Sequence, residues 1–99
     1  MKSALRKSSG NVFRDLGFPS KEAENLKIRA DLMIELIRFI ETQKLTQART
    51  ARLLGTTQPR ISDLVRGKIE LFSIDSLVEM LGRTGSRVTL RVTKKKKIA

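Results

Sequence analysis

Residues 45–68 read LTQARTARLLGTTQPRISDLVRGK, and their pattern indicates two short helices joined by a tight turn. Thr46 can cap the first helix, and Gly55 supplies the positive φ that commonly follows a helix end. The small side chain of Ala51 lets the two helices cross closely. Aliphatic side chains fill the angle between the helices, and these are Leu54, Ile61 and Leu64. The stretch therefore predicts a helical hairpin.

The second helix of the hairpin begins at Gln58 or Pro59, and we expect it to end near Arg66. Proline is tolerated in a first helical turn, and it biases the residue before it toward an extended backbone. We therefore expect Gln58 in a cap-like conformation. The polar side chains that this helix turns outward, or toward the edge of the core, are Gln58, Arg60, Ser62 and Asp63.

The chain carries a net charge of +11, and the excess is unevenly distributed. Residues 44–68 hold six basic side chains against one carboxylate, that of Asp63, whereas residues 10–43 and 69–93 are close to neutral. A concentrated positive patch of this kind suits phosphate groups. A basic surface that served solubility alone would spread its charge more evenly, so the distribution favours nucleic acid as the partner.

The composition excludes several other classes of protein. Without histidine or cysteine, the chain lacks the commonest general base, disulfides and thiolate metal ligands. Its ten carboxylates are scattered, and none lies in a loop that resembles an active site. No segment approaches the roughly 20 apolar residues of a membrane span, and the chain start lacks the apolar run of a signal peptide. We expect a cytoplasmic protein without catalytic residues, cofactor, metal or membrane partner.

Further helices flank the hairpin. Ser20 can cap a long helix that reaches about Gln43, and Ser73 can cap another that Gly82 closes. Ahead of them, residues 12–18 form a short apolar piece that should pack onto the domain through its aromatic rings. The predicted fold is a mainly α bundle of four to five helices.

The long helix carries two apolar stripes on different faces. One stripe is Leu26, Ala30, Met33, Ile34, Ile37 and Ile40, and the other is Leu32, Leu36 and Phe39. Either both stripes are covered inside a small helical core, or one of them meets a partner subunit. A domain this small has few elements with which to cover both, so the sequence leaves the two alternatives open.

Residues 86–93 alternate polar and apolar side chains, many of them β-branched, which predicts a strand. A lone strand cannot satisfy its own backbone groups, and no convincing second strand is present. Pairing with residues 11–14 is the intramolecular alternative, which is less favoured because that piece is short. The economical partner is the same strand of a second copy, so we expect a homodimer, whose symmetry suits palindromic DNA.

A chain of 99 residues is too short for two separate cores. We therefore expect a single domain over residues 10–93, with the hairpin at 46–66. Residues 1–9 and 94–99 are polar and basic and show no helical or strand periodicity. They are predicted to be a disordered arm and a disordered lysine tail.

Gln47 to Lys68 resembles the helix-turn-helix of the lambdoid phage repressor and Cro (Xre) family. The wider stretch from Asn11 to Thr93, including residues 12–17 and 58–64, is similar to the Xre-type regulators that include HigA-type antitoxins. The resemblance is most specific in its helix-turn-helix part. It implies binding of double-stranded DNA as a dimer, commonly in transcriptional repression. The alternative function is that of an antitoxin, which neutralises a toxin protein and represses its own operon.

The resemblance also implies which residues contact DNA. Gln47 would anchor a phosphate, and Gln58 would face base edges, where an amide forms a bidentate pair with adenine. Arg60 would reach either a guanine or a phosphate. The full set of predicted contacts is Gln47, Thr56, Thr57, Gln58, Arg60, Ser62, Asp63, Arg66 and Lys68.

Within this set, Thr56 and Thr57 can bond phosphates through hydroxyl or backbone N–H groups. Arg66 and Lys68 follow the helix and suit phosphates. Asp63 is acidic on the side expected to face DNA, so an ion pair with a nearby arginine is favoured over a contact to cytosine.

Two positions depart from the family pattern. Thr50 replaces an aliphatic residue, which we expect to loosen the packing slightly, and Pro59 replaces a polar residue that reads bases.

A third class of function, an RNA module or a structural bundle, is less favoured. Four phenylalanines without tyrosine or tryptophan offer few platforms for stacking unpaired bases.

Overall fold

The computed structural model describes residues 10–94, so the predicted arm at 1–9 and the tail beyond Lys94 lie outside the described residues. Within this range the chain forms five α-helices and one short 3-10 helix. The α-helices are α1 (Val12–Asp15), α2 (Ser20–Gln43), α3 (Gln47–Leu54), α4 (Gln58–Val65) and α5 (Ile74–Arg83), and the 3-10 helix is Ile69–Leu71. The predicted mainly α fold is confirmed.

The long helix α2 is the central element of the fold. It contacts α1, α4, α5 and the 3-10 helix, while α3 packs against α4 and α5. The buried core between these helices consists of Met33, Leu36, Ala51, Leu54, Ile61, Leu64, Phe72, Leu77, Met80 and Leu81. Burying one leucine, isoleucine, methionine or phenylalanine side chain typically stabilises a fold by about 1.5–3 kcal/mol, so this cluster is the main source of stability.

The core face of α2 draws on both of the predicted stripes. Met33 from one stripe and Leu36 from the other are buried side by side, because residues three apart are neighbours on a helix. Ile34 remains 47% exposed. Neither stripe is therefore wholly covered or wholly free, and α2 keeps an apolar edge at the surface.

The predicted caps of α3 and α5 are confirmed. The hydroxyl of Thr46 accepts the N–H of Arg49 over 3.1 Å, and that of Ser73 accepts the N–H of Ser76 over the same distance. Each hydroxyl satisfies one of the N–H groups that a helix start leaves without an intrahelical partner. Polar residues ahead of an apolar periodic run thus located two of the helix starts correctly.

Two other predicted helix ends are wrong. Ser20 is the first residue of α2 and does not cap it, because Pro19 occupies the cap position and makes no side-chain cap bond. Gly82 lies inside α5, which continues to Arg83. Thr84 follows as the C-cap residue, and its hydroxyl donates to the carbonyl oxygen of Leu81 over 2.7 Å.

The segment before α2 packs onto the domain through contacts between α1 and α2. Its two aromatic rings, Phe13 and Phe18, meet each other edge to face with centroids 6.1 Å apart. The side chain of Asn11 holds this segment in place: its Oδ1 accepts the N–H of Phe13 over 2.9 Å, and its Nδ2 donates to the carbonyl oxygen of Ala23 over 2.9 Å. A single buried side chain therefore caps α1 and ties it to the start of α2.

Residues 86–93 form no strand ladder within residues 10–94. The intramolecular alternative is excluded, because Val12–Asp15 is helical and offers no strand to pair with. Val88 is half-buried against the core, while Leu90 is 81% and Val92 93% exposed. Since a ladder between two copies cannot form in a single chain, the predicted strand stays a prediction. None of the helices in the described part of the chain combines the length and the hydropathy of a membrane span.

Candidate nucleic-acid interface

The hairpin of α3 and α4 turns at Gly55, which has a φ of 70°. The N–H of Thr56 donates back to the carbonyl oxygen of Ala51 over 2.9 Å, which closes the end of α3. Ala51 is 4% exposed, so its small side chain is part of the buried core. The aliphatic residues predicted to fill the angle are all buried, and they are Leu54, Ile61 and Leu64.

Helix α4 begins at Gln58, one of the two predicted starts, but its cap differs from the sequence expectation. Thr57 is the cap residue, with extended backbone angles and a hydroxyl that accepts the N–H of Arg60 over 3.4 Å. Gln58 is already the first helical residue, so its predicted cap-like conformation is wrong. Pro59 fits in the first turn, where it removes one N–H that would have had no intrahelical acceptor.

The predicted DNA contacts fall into two groups by exposure. Gln47, Thr57, Gln58 and Arg66 are exposed, and Thr56, Arg60, Ser62, Asp63 and Lys68 are half-buried. Gln58, Ser62 and Arg66 are spaced four residues apart, so they follow one side of α4, while Ile61 and Leu64 bury the other side. The helix therefore presents a continuous polar row to the surface.

Arg60 does not belong to this polar row. Its Nη1 donates to the carbonyl oxygen of Leu71 over 2.8 Å, and its Cζ lies 4.2 Å from the centroid of the Phe72 ring. The guanidinium is thus held by the segment that leads into α5. Leu71 and Phe72 lie 11 and 12 residues after Arg60, and no capping or helical-spacing rule connects positions so far apart. The sequence therefore did not predict this contact. The predicted contact of Arg60 to guanine or phosphate stays a prediction.

Asp63 also has an intramolecular partner, as expected, but the partner is a lysine and not an arginine. Its Oδ1 lies 3.7 Å from the Nζ of Lys68. The backbone places them together, because the N–H of Lys68 donates to the carbonyl oxygen of Asp63 over 3.1 Å. Two of the predicted DNA contacts therefore face one another, and part of the charge of Lys68 is balanced at this site.

Thr50, the departure from the family pattern in α3, is 1% exposed. Its hydroxyl donates to the carbonyl oxygen of Thr46 over 2.9 Å, so the buried polar atom is satisfied within its own helix. Among residues 10–94, no buried side-chain nitrogen or oxygen lacks a hydrogen bond. The hydroxyl is accommodated at this position without an unpaired group.

One cation beside the hairpin was missed by the sequence reasoning. The guanidinium of Arg83, at the end of α5, lies over Gly55 so closely that a Cβ there would be 2.6 Å from its Cζ. Arg83 is 28 positions away from Gly55 in the chain, and no spacing rule connects them. Its charge therefore adds to that of residues 44–68 at the turn of the hairpin.

Two short helices that pack on each other and turn at Gly55, with polar side chains along the outer side of the second, define a helix-turn-helix protein. Comparisons with known proteins agree. A family model described as a helix-turn-helix domain matches residues 12–93. A solved structure named "Putative XRE Family Transcriptional Regulator" superposes with a TM-score of 0.70 at 31% identity, covering 79% of this chain and 91% of that chain.

A search of curated proteins gives no match. The family match spans most of the described residues, and the solved structure is similar along nearly its full length. The chain therefore belongs to the helix-turn-helix family, among its Xre-type regulators.

Proposed function

We propose that the protein is a sequence-specific DNA-binding transcriptional repressor that binds palindromic operator DNA as a homodimer. The observation that carries this proposal is the polar row along α4 and its C-cap residue, in which Gln58 and Arg66 are exposed and Ser62 is half-buried. A helix whose apolar side is buried in the hairpin and whose polar side is free has the shape that enters a major groove.

In this proposal, base reading is the role of the start of α4. Gln58 is exposed at the first helical position, and its amide can donate to and accept from one adenine. Gln47 is the first residue of α3, where helix N–H groups and an amide side chain suit a phosphate. Thr56, Thr57, Arg66 and Lys68 supply further phosphate contacts, which set the position of α4 on the duplex.

The test is binding to the DNA upstream of the protein's own gene, compared with a random duplex of equal length. We expect tighter binding to the upstream duplex, and an affinity that falls steeply with salt, since about 0.9 counterions are released for each phosphate neutralised. Equal affinity for both duplexes would contradict sequence-specific recognition. A response that is flat with salt would contradict the proposed interface altogether.

A second candidate function is that of an antitoxin that holds a toxin protein and represses its own operon. The observation that favours it is an apolar groove of about 290 Å³ between α1, α2 and the 3-10 helix. The described residues that line the groove are all uncharged, and they are Phe13, Ala30, Met33, Ile34, Ile37, Gly67 and Ile69. Apolar surface of this kind often marks a protein contact.

The test of this second function is co-expression with any small open reading frame beside the gene. Rescue of growth by the protein, lost in an Ile34→Lys variant that still binds DNA, is the expected result. If the neighbouring frame encodes nothing toxic, or if Ile34→Lys neutralises the toxin as well as the unaltered chain does, the antitoxin function or its assignment to this groove is wrong.

A further inference from the structure

We propose that residues 86–94 of two copies pair as an antiparallel β-ribbon with Leu90 on the two-fold axis. The inference rests on the homodimer proposed above and specifies its surface and its register.

The apolar side chains of the segment share one face. Val88, Leu90 and Val92 are two residues apart, so in an extended chain they point to the same side. Val88 lies against the core, which places that side toward the domain, yet Leu90 is 81% and Val92 93% exposed. The segment therefore continues an apolar face beyond the end of its own core.

Among residues 10–94, the backbone of the segment beyond Ser86 also lacks backbone partners. The N–H of Ser86 donates to the carbonyl oxygen of Leu81 over 3.3 Å, but no backbone–backbone hydrogen bond involves residues 87–94 within the described range. A strand of this length satisfies its N–H and C=O groups through a ladder. The same segment of a second copy offers an identical set of groups related by a two-fold axis.

The apolar side chains favour one register. With Leu90 opposite Leu90 of the second copy, Val88 of each chain lies opposite Val92 of the other. All three apolar residues are then paired with apolar residues on one face. Shifting the two chains by one residue places apolar residues opposite polar ones, because side chains alternate along a strand.

Several registers place the apolar faces of the two strands on the same side. Among these, the positions of the charged side chains favour the register centred on Leu90. With Leu90 at the axis, Arg91 lies opposite Thr89 of the second copy and Arg87 opposite Thr93. Centring the pair on Thr89 instead places Arg87 opposite Arg91. Like charges directly opposite each other destabilise a pair of strands.

The remaining registers that keep the faces matched are also less favourable. Centring the pair on Arg91 places the two Arg91 side chains opposite each other, which again opposes like charges. Centring on Val88 places Leu90 opposite Ser86, and centring on Val92 places Leu90 opposite Lys94. Pairing on Leu90 is the register in which every apolar residue has an apolar partner and no arginine opposes another.

A groove beside the segment accommodates the second copy in this register. The groove has a volume of about 350 Å³ and is bordered by Leu32 of α2, Leu81 of α5 and Val88. Because Val92 of the second copy lies opposite Val88, at the usual cross-strand spacing of about 5 Å, it meets the open side of this groove. Pairing the strands therefore also covers apolar surface of α2 and α5.

Disulfide trapping tests the register, and the chain has no cysteine of its own to interfere. We expect Leu90→Cys to form a covalent dimer under mild oxidation. Thr89→Cys and Arg91→Cys are the matched controls. In the proposed register, each of these cysteines lies two residues along the ribbon from its own copy, beyond the roughly 7 Å Cα separation that a disulfide tolerates. Mixing these two variants should give a crosslinked heterodimer, because positions 89 and 91 are opposite.

Rapid crosslinking of Thr89→Cys or Arg91→Cys alone would overturn the register. Sedimentation of the reduced protein tests the dimer surface. Val92→Lys should shift the protein toward monomer. Leu16→Lys, which changes an exposed apolar residue outside this surface, should not. A dimer that survives Val92→Lys and gives no Leu90→Cys crosslink would overturn this interface while leaving the homodimer intact. Failure of the unaltered chain to bind DNA would contradict the proposed function without affecting the crosslinking result.

Discussion

The guanidinium of Arg60 stacks on the ring of Phe72, with its Cζ 4.2 Å from the ring centroid. The same group donates to the carbonyl oxygen of Leu71 over 2.8 Å. From α2, Arg29 donates to the carbonyl oxygen of Phe72 over 3.4 Å. Two arginines from different helices therefore hold the segment between α4 and α5.

Replacing Arg60 by Gln should destabilise the fold by about 1–2.5 kcal/mol. The variant loses a cation–π contact worth about 0.5–1 kcal/mol at a half-buried site and a hydrogen bond worth about 0.5–1.5 kcal/mol. Arg60→Lys should recover only part of the loss, since an ammonium lacks the planar group that stacks and donates together. Urea unfolding measures the effect, with Arg49→Gln on the exposed surface of α3 as the control. Equal midpoints for the two Gln variants would show that the Phe72 contact contributes nothing.

Replacing Gln58 by Ala should weaken binding to the operator by about 5- to 150-fold, the equivalent of about 1–3 kcal/mol of base discrimination. Binding to a random duplex and the slope with salt should not change, because the amide carries no charge. Fluorescence anisotropy on both duplexes measures this. The prediction is wrong if the affinity falls by the same factor on both.

Replacing Arg66 by Gln should act differently, because a charge is lost. The affinity for both duplexes should fall together, and the slope of log K against log salt should decrease by about 0.9. Arg38→Gln, which removes an exposed charge paired with Glu35 on α2, is the matched control and should change neither quantity. A specific loss on the operator alone would instead identify Arg66 as a base contact.

Two Gly→Ala substitutions should have opposite effects on stability. Gly55 has a φ of 70°, and a Cβ there meets the Arg83 guanidinium, so Gly55→Ala should cost about 1–2 kcal/mol, chiefly through the backbone. Gly82 lies inside α5, and beyond its own helix backbone no described atom lies within 4 Å of the position that a Cβ would take. Gly82→Ala should therefore stabilise the fold by about 0.5–1 kcal/mol. Thermal unfolding measures both, and the same sign for the two changes would contradict the geometry of the turn.

The cap of α4 provides a further test. Thr57→Val keeps the shape of the side chain but removes the acceptor for the N–H of Arg60, and should cost about 0.5–2 kcal/mol. Thr57→Ser keeps the hydroxyl and should be close to the unaltered chain in urea unfolding. If the two variants unfold at the same urea concentration, the hydroxyl does not cap the helix.

Several features of the fold were predictable because they depend on residues close in sequence. The caps at Thr46 and Ser73 each use a hydroxyl and an N–H three residues later, and the turn at Gly55 depends on the backbone of one residue. The errors were also local. Ser20 is a suitable cap residue, but Pro19 takes that position, and Gly82 is a suitable terminator, but α5 continues through it.

The partners of the candidate site residues were not predictable in the same way. Arg60 was expected to point outward, and its contact with Phe72 depends on how the segment after α4 folds back. The expected partner of Asp63 was an arginine, and only the path of the chain through Gly67 brings Lys68 to it. An ionisable side chain on a helix surface can reach several neighbours, and its position in the sequence does not show which of them it will contact.

Three features of this protein could be determined from its sequence alone: the helical hairpin, its buried aliphatic residues and the concentration of positive charge around them. These features were predictable because hydrophobic periodicity, capping and composition act over a few residues. The tertiary structure was needed to establish which side of α2 is buried. It also established which basic side chains make contacts within the chain and which remain exposed. Those outcomes depend on the packing of elements far apart in the chain, and a periodic pattern contains no information about what will pack against it.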